Sequence, residues 1–169
     1  MRRLPSALVS EGRFLEDFKV GDVHRSSTGR TITQTDNIWF SLLTNNTNPI
    51  HIDQHYAAQT EFGRPLVNSI LSIGVVTGLM VPDTSQNGFA LGWDEITLPN
   101  PLFEGDTLYA DSEVVDVRES RSRQGWGIVK VRQRGIKQDG TVVLVMTRSF
   151  MVPTRAAAPQ RARPPTPRD

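Results

Sequence analysis

The chain has 169 residues with 19 basic and 18 acidic side chains, for a formal net charge of +1. Its ends are basic and its body mildly acidic: residues 1–12 carry +1, residues 153–169 carry +3 and residues 13–152 carry −3. That body lacks the clustered Lys and Arg that duplex nucleic acid requires. The absence of cysteine removes disulfides and thiolate metal sites.

Residues 1–12 read as a flexible start, too short and broken in their apolar stretch for a secretory signal. Residues 153–169 hold five of the 11 prolines and few apolar groups, which predicts a disordered tail. The longest apolar run, residues 70–80, falls short of a membrane span. One domain over residues 13–152, resident in the cytoplasm and away from membranes, is the expectation.

Along the body, residues 14–22 predict an extended lead-in and residues 24–33 a strand. Thr33-Gln34-Thr35-Asp36 fits a capping box, and Ile38, Trp39, Leu42 and Leu43 follow at helical spacing. The Asn-rich residues 45–49 stop that helix. Asp53 can cap a second one over residues 54–61. Residues 66–80 are apolar almost all round, interrupted only by small residues, and predict a buried helix.

The last third predicts strands at 92–98, 107–118, 127–137 and 141–152. A phase slip at Val114-Val115 suggests a bulge, and Gln138-Asp139-Gly140 suggests a hairpin turn. One long helix followed by an antiparallel sheet gives an α+β class, with the sheet wrapped around the helix.

Of the three histidines, His51 stands out. It lies in Asn46-Thr47-Asn48-Pro49-Ile50-His51-Ile52-Asp53, where Pro49 fixes the backbone and side-chain amides are dense. An imidazole there can serve as a general base, or can simply satisfy a turn carbonyl. His55 follows at a metal-like spacing, but Asp53 breaks the helix between them. His24 reads as a surface residue. Trp39 and Trp93 read as core or dimer packing.

The run Asn46-x-Asn48-Pro49-Ile50-His51 resembles the Asp-x-Asn-Pro-hydrophobic-His motif of the R-specific enoyl-CoA hydratases, the MaoC-like dehydratases of the hot-dog fold. Residues 56–65, Val67-Asn68-Ser69-Ile70-Leu71 and Pro101-Leu102-Phe103-Glu104-Gly105-Asp106-Thr107-Leu108 are similar to that family's later segments, in the same order. The resemblance covers roughly residues 14–152. It implies a single hot-dog domain and reversible hydration of a trans-2-enoyl-CoA without metal or redox cofactor. It also implies a homodimer or dimer of dimers that closes the open sheet edges.

By the same resemblance, His51 binds and deprotonates the water. The Ser69 N–H at the start of the central helix receives the thioester oxygen, and Thr77 supplies a hydroxyl further along. Asn48 belongs to the substrate-binding group. Two positions depart from the family. Asn46 stands where the family has Asp, and an amide can orient water but cannot carry a proton. Asn68-Ser69 stands where the family has His-Gly.

Two explanations stay open. One is a hydratase in which His51 works alone or with Asp53 or Asp36. The other is a binding or scaffold module for acyl-CoA; a thioesterase is a further alternative. With Thr35-Asp36-Asn37-Ile38-Trp39-Phe40, Arg64-Pro65-Leu66-Val67-Asn68-Ser69 and Leu91-Gly92-Trp93-Asp94-Glu95, the chain resembles a distinct branch of the family, which includes hydratases proposed for mesaconyl-, itaconyl- or methylmalyl-CoA. A substrate carboxylate would need a cation, and Arg64 is nearest in sequence to the motif. The basic residues between 118 and 134 are candidates for CoA phosphates or for a solvated sheet edge.

Overall fold

The computed structural model describes residues 12–159. Residues 1–11 and 160–169, which hold most of the expected flexible start and tail, lie outside the described residues. The elements are β1 (Val23–Arg25), β2 (Arg30–Thr31), α1 (Gln34–Leu43), α2 (Pro49–Ile52), α3 (Gln54–Ala57), α4 (Ser69–Leu79), α5 (Val81–Thr84), β3 (Phe89–Thr97), β4 (Thr107–Glu119), β5 (Trp126–Lys137) and β6 (Val142–Pro153). All strands join one antiparallel sheet in the order β1-β4-β5-β6-β3, with β2 also pairing on β4. The α+β class and the helix-on-sheet arrangement are as the sequence predicts.

The helix α4 lies across the sheet. Val76 and Met80 join Leu108, Ala110, Leu144 and Met146 in one buried cluster. Contact with β5 is close: a Cβ added at Gly135 would fall 2.7 Å from Val76 Cγ2. A second cluster, around Phe18, Val114, Val129, Val131 and Phe150, fills the other half of the same sheet face. The register shifts between Val114 and Asp116, where the phase slip in the sequence placed a bulge. The β5–β6 hairpin turns on Gly140, whose φ of +88° suits glycine.

Several boundaries differ from the sequence reading. The lead-in holds a 3₁₀ turn at Leu15–Asp17, because the Asp17 carboxylate accepts the Phe14 N–H at 2.9 Å. The single strand expected over 24–33 is two short ones. Ser26 interrupts them: its Oγ accepts the Ala110 N–H at 3.0 Å in place of a backbone carbonyl. The helix α3 ends at Ala57 rather than at 61, and residues 49–52 form a helical turn that the sequence reading missed. The central helix starts at Ser69 rather than 66, because Leu66 bridges to Phe103 and the Val67 N–H goes to the Leu102 carbonyl at 2.9 Å.

Residues 153–157, assigned to the tail in the sequence reading, are structured. Pro153 closes β6, and Arg155–Ala157 form a 3₁₀ turn tied to Glu16 and Asp17.

The orientation of α1 reverses what its apolar spacing suggests. Trp39, Leu42 and Leu43 face outward, with Trp39 67% exposed, so Trp39 is not a core residue of this chain. Asn37 and Ser41 face inward instead. Along α4, Ile70, Gly74 and Gly78 are likewise exposed, so that helix is buried on one side only. Strand β3 is an edge strand bearing exposed Phe89, Leu91, Trp93 and Ile96.

Candidate active site

The chain builds a compact centre where α1, α2 and the start of α4 meet. The helix α1 begins with the expected box: Thr33 Oγ1 accepts the Asp36 N–H at 3.2 Å, and Asp36 accepts the Thr33 N–H at 2.8 Å. It ends at Leu43, and Asn45, two residues on, is left-handed with a φ of +54°. The Asn46 N–H then returns to the Ser41 carbonyl at 2.8 Å. The Asn46 side-chain oxygen accepts the Asn48 N–H at 3.2 Å, and the Asn48 side-chain oxygen in turn accepts the Ile50 N–H at 3.2 Å. Two consecutive Asx contacts and Pro49 at the first helical position thus start α2, which carries His51.

His51 is only 8% exposed. Its Nδ1 lies 2.8 Å from the Leu66 carbonyl oxygen. A carbonyl only accepts, so the Nδ1 of the neutral ring carries the proton and Nε2 keeps a lone pair. This bond fixes both tautomer and ring direction, which is the preparation a general base needs.

Two residues beyond Leu66, Asn68 caps α4. Its side-chain oxygen accepts the Ile70 N–H at 3.0 Å, and its side-chain nitrogen donates to Ser41 Oγ at 3.1 Å. Among the described residues, the Ser69 N–H has no hydrogen-bond acceptor. That N–H sits at the positive end of an 11-residue helix, where negative charge is stabilised. Ser69 itself is half-buried, and its position at the first turn agrees with the sequence reading.

The structure separates the other candidates. Asp53 is exposed and caps α3, accepting the Tyr56 N–H at 3.0 Å. Asp36 is occupied by Thr33 and by Arg30 at 2.7 Å. Burial opposes ionisation of Asp36, but the Thr33 hydrogen bonds and Arg30 outweigh it and hold the carboxyl below its ordinary range. No contact brings either carboxylate to His51 among the described residues. Thr77 lies two turns along α4 from Ser69, with its Oγ1 buried and without a partner in the described chain. Arg64 is exposed, with its guanidinium 4.1 Å from the centre of the Phe103 ring.

Much of the 118–134 basic group is neutralised locally. Arg134 binds Asp111 at 2.9 and 2.5 Å, Arg118 lies 3.7 Å from Asp116, and Lys130 lies 3.9 Å from Asp94. Asp111 in turn raises the Arg134 pKa. No group of three or more potential metal-ligating side chains occurs among the described residues. None of the described helices is long and apolar enough to cross a membrane.

Three residues went unread in the sequence. Asn37 and Ser41, both buried, bind the segments that carry His51 and Asn68. Their signal was available: two small polar residues four apart on one helix face. The third is Arg148 on β6, 3% exposed and without a carboxylate partner among the described residues. Its contacts are Ser85 Oγ at 3.1 Å, Thr84 Oγ1 at 3.5 Å and the rings of Trp93 and Phe150 at 5.6 and 5.5 Å. Burial pushes its pKa down. A lone Arg inside a strand gives no advance sign of this.

Comparison with known proteins agrees with the geometry. The family model described as "MaoC like domain" matches residues 17–134. A mesaconyl-CoA hydratase of Cereibacter sphaeroides is 32% identical over 94% of this chain and 46% of its own length. A beta-methylmalyl-CoA dehydratase of Chloroflexus aurantiacus is 32% identical over 96% of this chain and 47% of its own length. The chain therefore spans about half the length of these curated relatives.

Among solved structures, a putative MaoC domain protein dehydratase from Chloroflexus aurantiacus superposes with a TM-score of 0.83 at 31% identity, over 96% of this chain and 47% of that one. A Mycobacterium tuberculosis protein described as a double hotdogfold superposes with a TM-score of 0.77 at 22% identity, over 89% of this chain and 47% of that one. The sheet wrapped around α4 is accordingly a hot-dog fold.

Proposed function

Since the chain belongs to the MaoC-like dehydratase family, we propose that it hydrates a trans-2-enoyl-CoA reversibly, with His51 as the proton-handling group. The observation that carries this reading is the His51 Nδ1 contact to the Leu66 carbonyl, 2.8 Å long, on a nearly buried ring. It leaves the Nε2 lone pair of the neutral ring unused by that contact, on a turn joined to the segment that leads into α4.

Nε2 takes a proton from water as the water oxygen bonds to the β-carbon. The electron pair of the double bond moves onto the thioester oxygen, which the Ser69 N–H and the positive end of α4 stabilise. The imidazolium then delivers its proton to the α-carbon. The product is the 3-hydroxyacyl-CoA, and every atom of the added water is accounted for. Asn46 orients the water through its amide and transfers no proton.

The likeness to a mesaconyl-CoA hydratase and a beta-methylmalyl-CoA dehydratase supports a small branched acyl group bearing its own carboxylate. Asn48, Thr77, Arg64 and Asp53 remain the proposed substrate-binding residues. Asn48 and Asp53 act through the turns they cap, Thr77 through a hydroxyl without a partner among the described residues, and Arg64 as the arginine close in sequence to the motif. The open edge of β3 and its exposed apolar residues support pairing with a second copy across that edge.

The test is to incubate purified protein with crotonyl-CoA and with mesaconyl-CoA, following enoyl absorbance and free thiol. Loss of absorbance without thiol release, abolished in His51→Ala, is the expected result. Thiol release without hydration would identify a thioesterase. Binding with neither reaction would identify an acyl-CoA binding module, the reading that Asn46 favours.

A further inference from the structure

We infer that Asn37 is a positioning residue for this chemistry, holding the base and the oxyanion donor at a fixed separation; the inference rests on the hydratase reading above. The Asn37 side chain is 3% exposed. Its nitrogen donates to the His51 carbonyl at 2.9 Å and to the Leu66 carbonyl at 3.1 Å. Its oxygen accepts the Asn68 N–H at 2.8 Å. One amide thus engages the backbone of the residue that bears the base, the carbonyl that orients the base, and the residue that caps α4.

The chemistry of the amide matters. These contacts use both of its N–H donors and one of its two acceptor positions. Asparagine is a weak helix former, and burying an amide is unfavourable unless it is hydrogen-bonded. The first turn of α1 carries that cost at a position whose side-chain bonds all leave the helix.

The Leu66 carbonyl accepts from Asn37 and from His51 Nδ1 together. Movement of Asn37 therefore shifts the acceptor on which the His51 tautomer and ring direction depend. One backbone bond, Leu66 N–H to the Ile50 carbonyl at 3.0 Å, also joins α2 to this segment. Asn37 adds the contacts that extend the tie to the start of α4. Ser69, whose N–H would meet the thioester oxygen, directly follows Asn68. The two groups that act on opposite ends of the reacting enoyl system are thereby referenced to one side chain.

Such a residue lowers the barrier without touching substrate. A misplacement of about 1 Å costs up to about 100-fold in rate. The test is steady-state kinetics of Asn37→Ala, Asn37→Ser and Asn37→Asp, each checked for folding by circular dichroism. Asp has the shape of Asn and can still accept the Asn68 N–H, but it presents a carboxylate to two carbonyl oxygens. Ser retains one donor and gives a milder variant if Ala or Asp fails to fold.

In folded variants kcat is expected to fall about 10- to 100-fold, with KM changed less than about twofold because no substrate contact is lost. Asn37→Ala is expected to add little to the loss already caused by His51→Ala, since it acts through His51. The His51 Nδ1–H resonance is expected to be protected from exchange in the parent protein and exposed in the variant.

An unchanged kcat, a rise in KM alone, or a full additional loss in the His51→Ala background would overturn the inference. If the parent protein does not hydrate enoyl-CoA, the hydratase reading fails. The Nδ1–H measurement then judges the clamp alone, and protection unaltered by Asn37→Ala would sink it.

Discussion

Replacing Asn68 tests how the start of α4 is held, and its cost can be worked from three contacts. Asn68→Ala removes the cap on the Ile70 N–H and the donor to Ser41 Oγ, while its own N–H can still reach Asn37. Loss of an N-cap side chain costs about 1 kcal/mol. Leaving the fully buried Ser41 hydroxyl without its partner costs about 1–3 kcal/mol. The expected destabilisation is therefore about 2–4 kcal/mol. Asn68→Ser keeps a capping oxygen and loses the Ser41 contact, so it should fall about 1 kcal/mol short of the Ala variant. Urea unfolding at one fixed protein concentration is the appropriate assay, because any association between copies adds a concentration-dependent term. At about 2–4 °C per kcal/mol for a chain of this size, the Ala variant should also melt roughly 4–16 °C lower. A loss under about 0.5 kcal/mol for Asn68→Ala would refute the reasoning. So would equal losses for the two variants, since the cap would then contribute nothing.

The remaining predictions concern chemistry, charge and packing. His51→Ala should lower hydration about 10²- to 10⁴-fold, the range for a lost general base, whereas Asn46→Ala should only reduce it; equal loss in both, measured by enoyl absorbance, would contradict a purely orienting amide. The Asp106–Lys137 pair, 2.8 Å apart with both side chains largely buried, predicts an acid limb of stability. Burial opposes ionisation of Asp106, but Lys137, the Phe103 N–H and Gln138 outweigh it and depress its pKa. Its stabilisation is thus present above the unfolded carboxylate pKa of about 4 and is lost as pH falls through the lower folded value. Asp106→Asn should lower neutral-pH stability and flatten that acid limb; an unchanged limb in urea titrations from pH 7 to 2.5 would refute the assignment. Gly135→Ala places a Cβ 2.7 Å from Val76 Cγ2, so thermal melting should reveal about 1–3 kcal/mol of overpacking; no change would mean that α4 can lift off β5 freely.

The sequence was readable where local rules act alone. The Thr33–Asp36 box, the Asp53 cap, the bulge after Val114 and the β5–β6 turn are all set by residues within a few positions of each other. The spacing of the His51 motif was readable for the same reason. What it hid depends on the tertiary neighbour. Apolar periodicity in α1 suggests a core face, yet Trp39 and Leu43 point outward, because the inward face is reserved for Asn37 and Ser41. Ser26 splits a strand only because Ala110 lies opposite it. The late start of α4 follows from the Leu66–Phe103 bridge, a contact across 37 positions. Arg148 could not be read at all, since its burial comes from α5 and the rings of Trp93 and Phe150.

Under the proposed hydration, an amide at Asn46 in place of the family carboxylate bears on how the step is organised. A base and a separate acid allow water to be activated on one group and the α-carbon protonated from another. On the hydratase reading proposed above, with an amide at 46 and with Asp36 and Asp53 both engaged in caps, one imidazole takes the proton and returns it. A single group that does both must keep its direction through both half-steps, so precision of placement replaces division of labour. The bonds around His51 suit that demand. Its Nδ1 is fixed on Leu66, its carbonyl on Asn37, and its turn is started by Asn46 and Asn48. Asparagine at four places around the site, 37, 46, 48 and 68, supplies donors and acceptors whose charge does not change with pH. The pH–rate profile of kcat should then show one dominant ionisation in place of the bell shape of an acid–base pair. A clear second limb within the range where the protein stays folded would require another titrating group at the site, and would return a carboxylate to the mechanism.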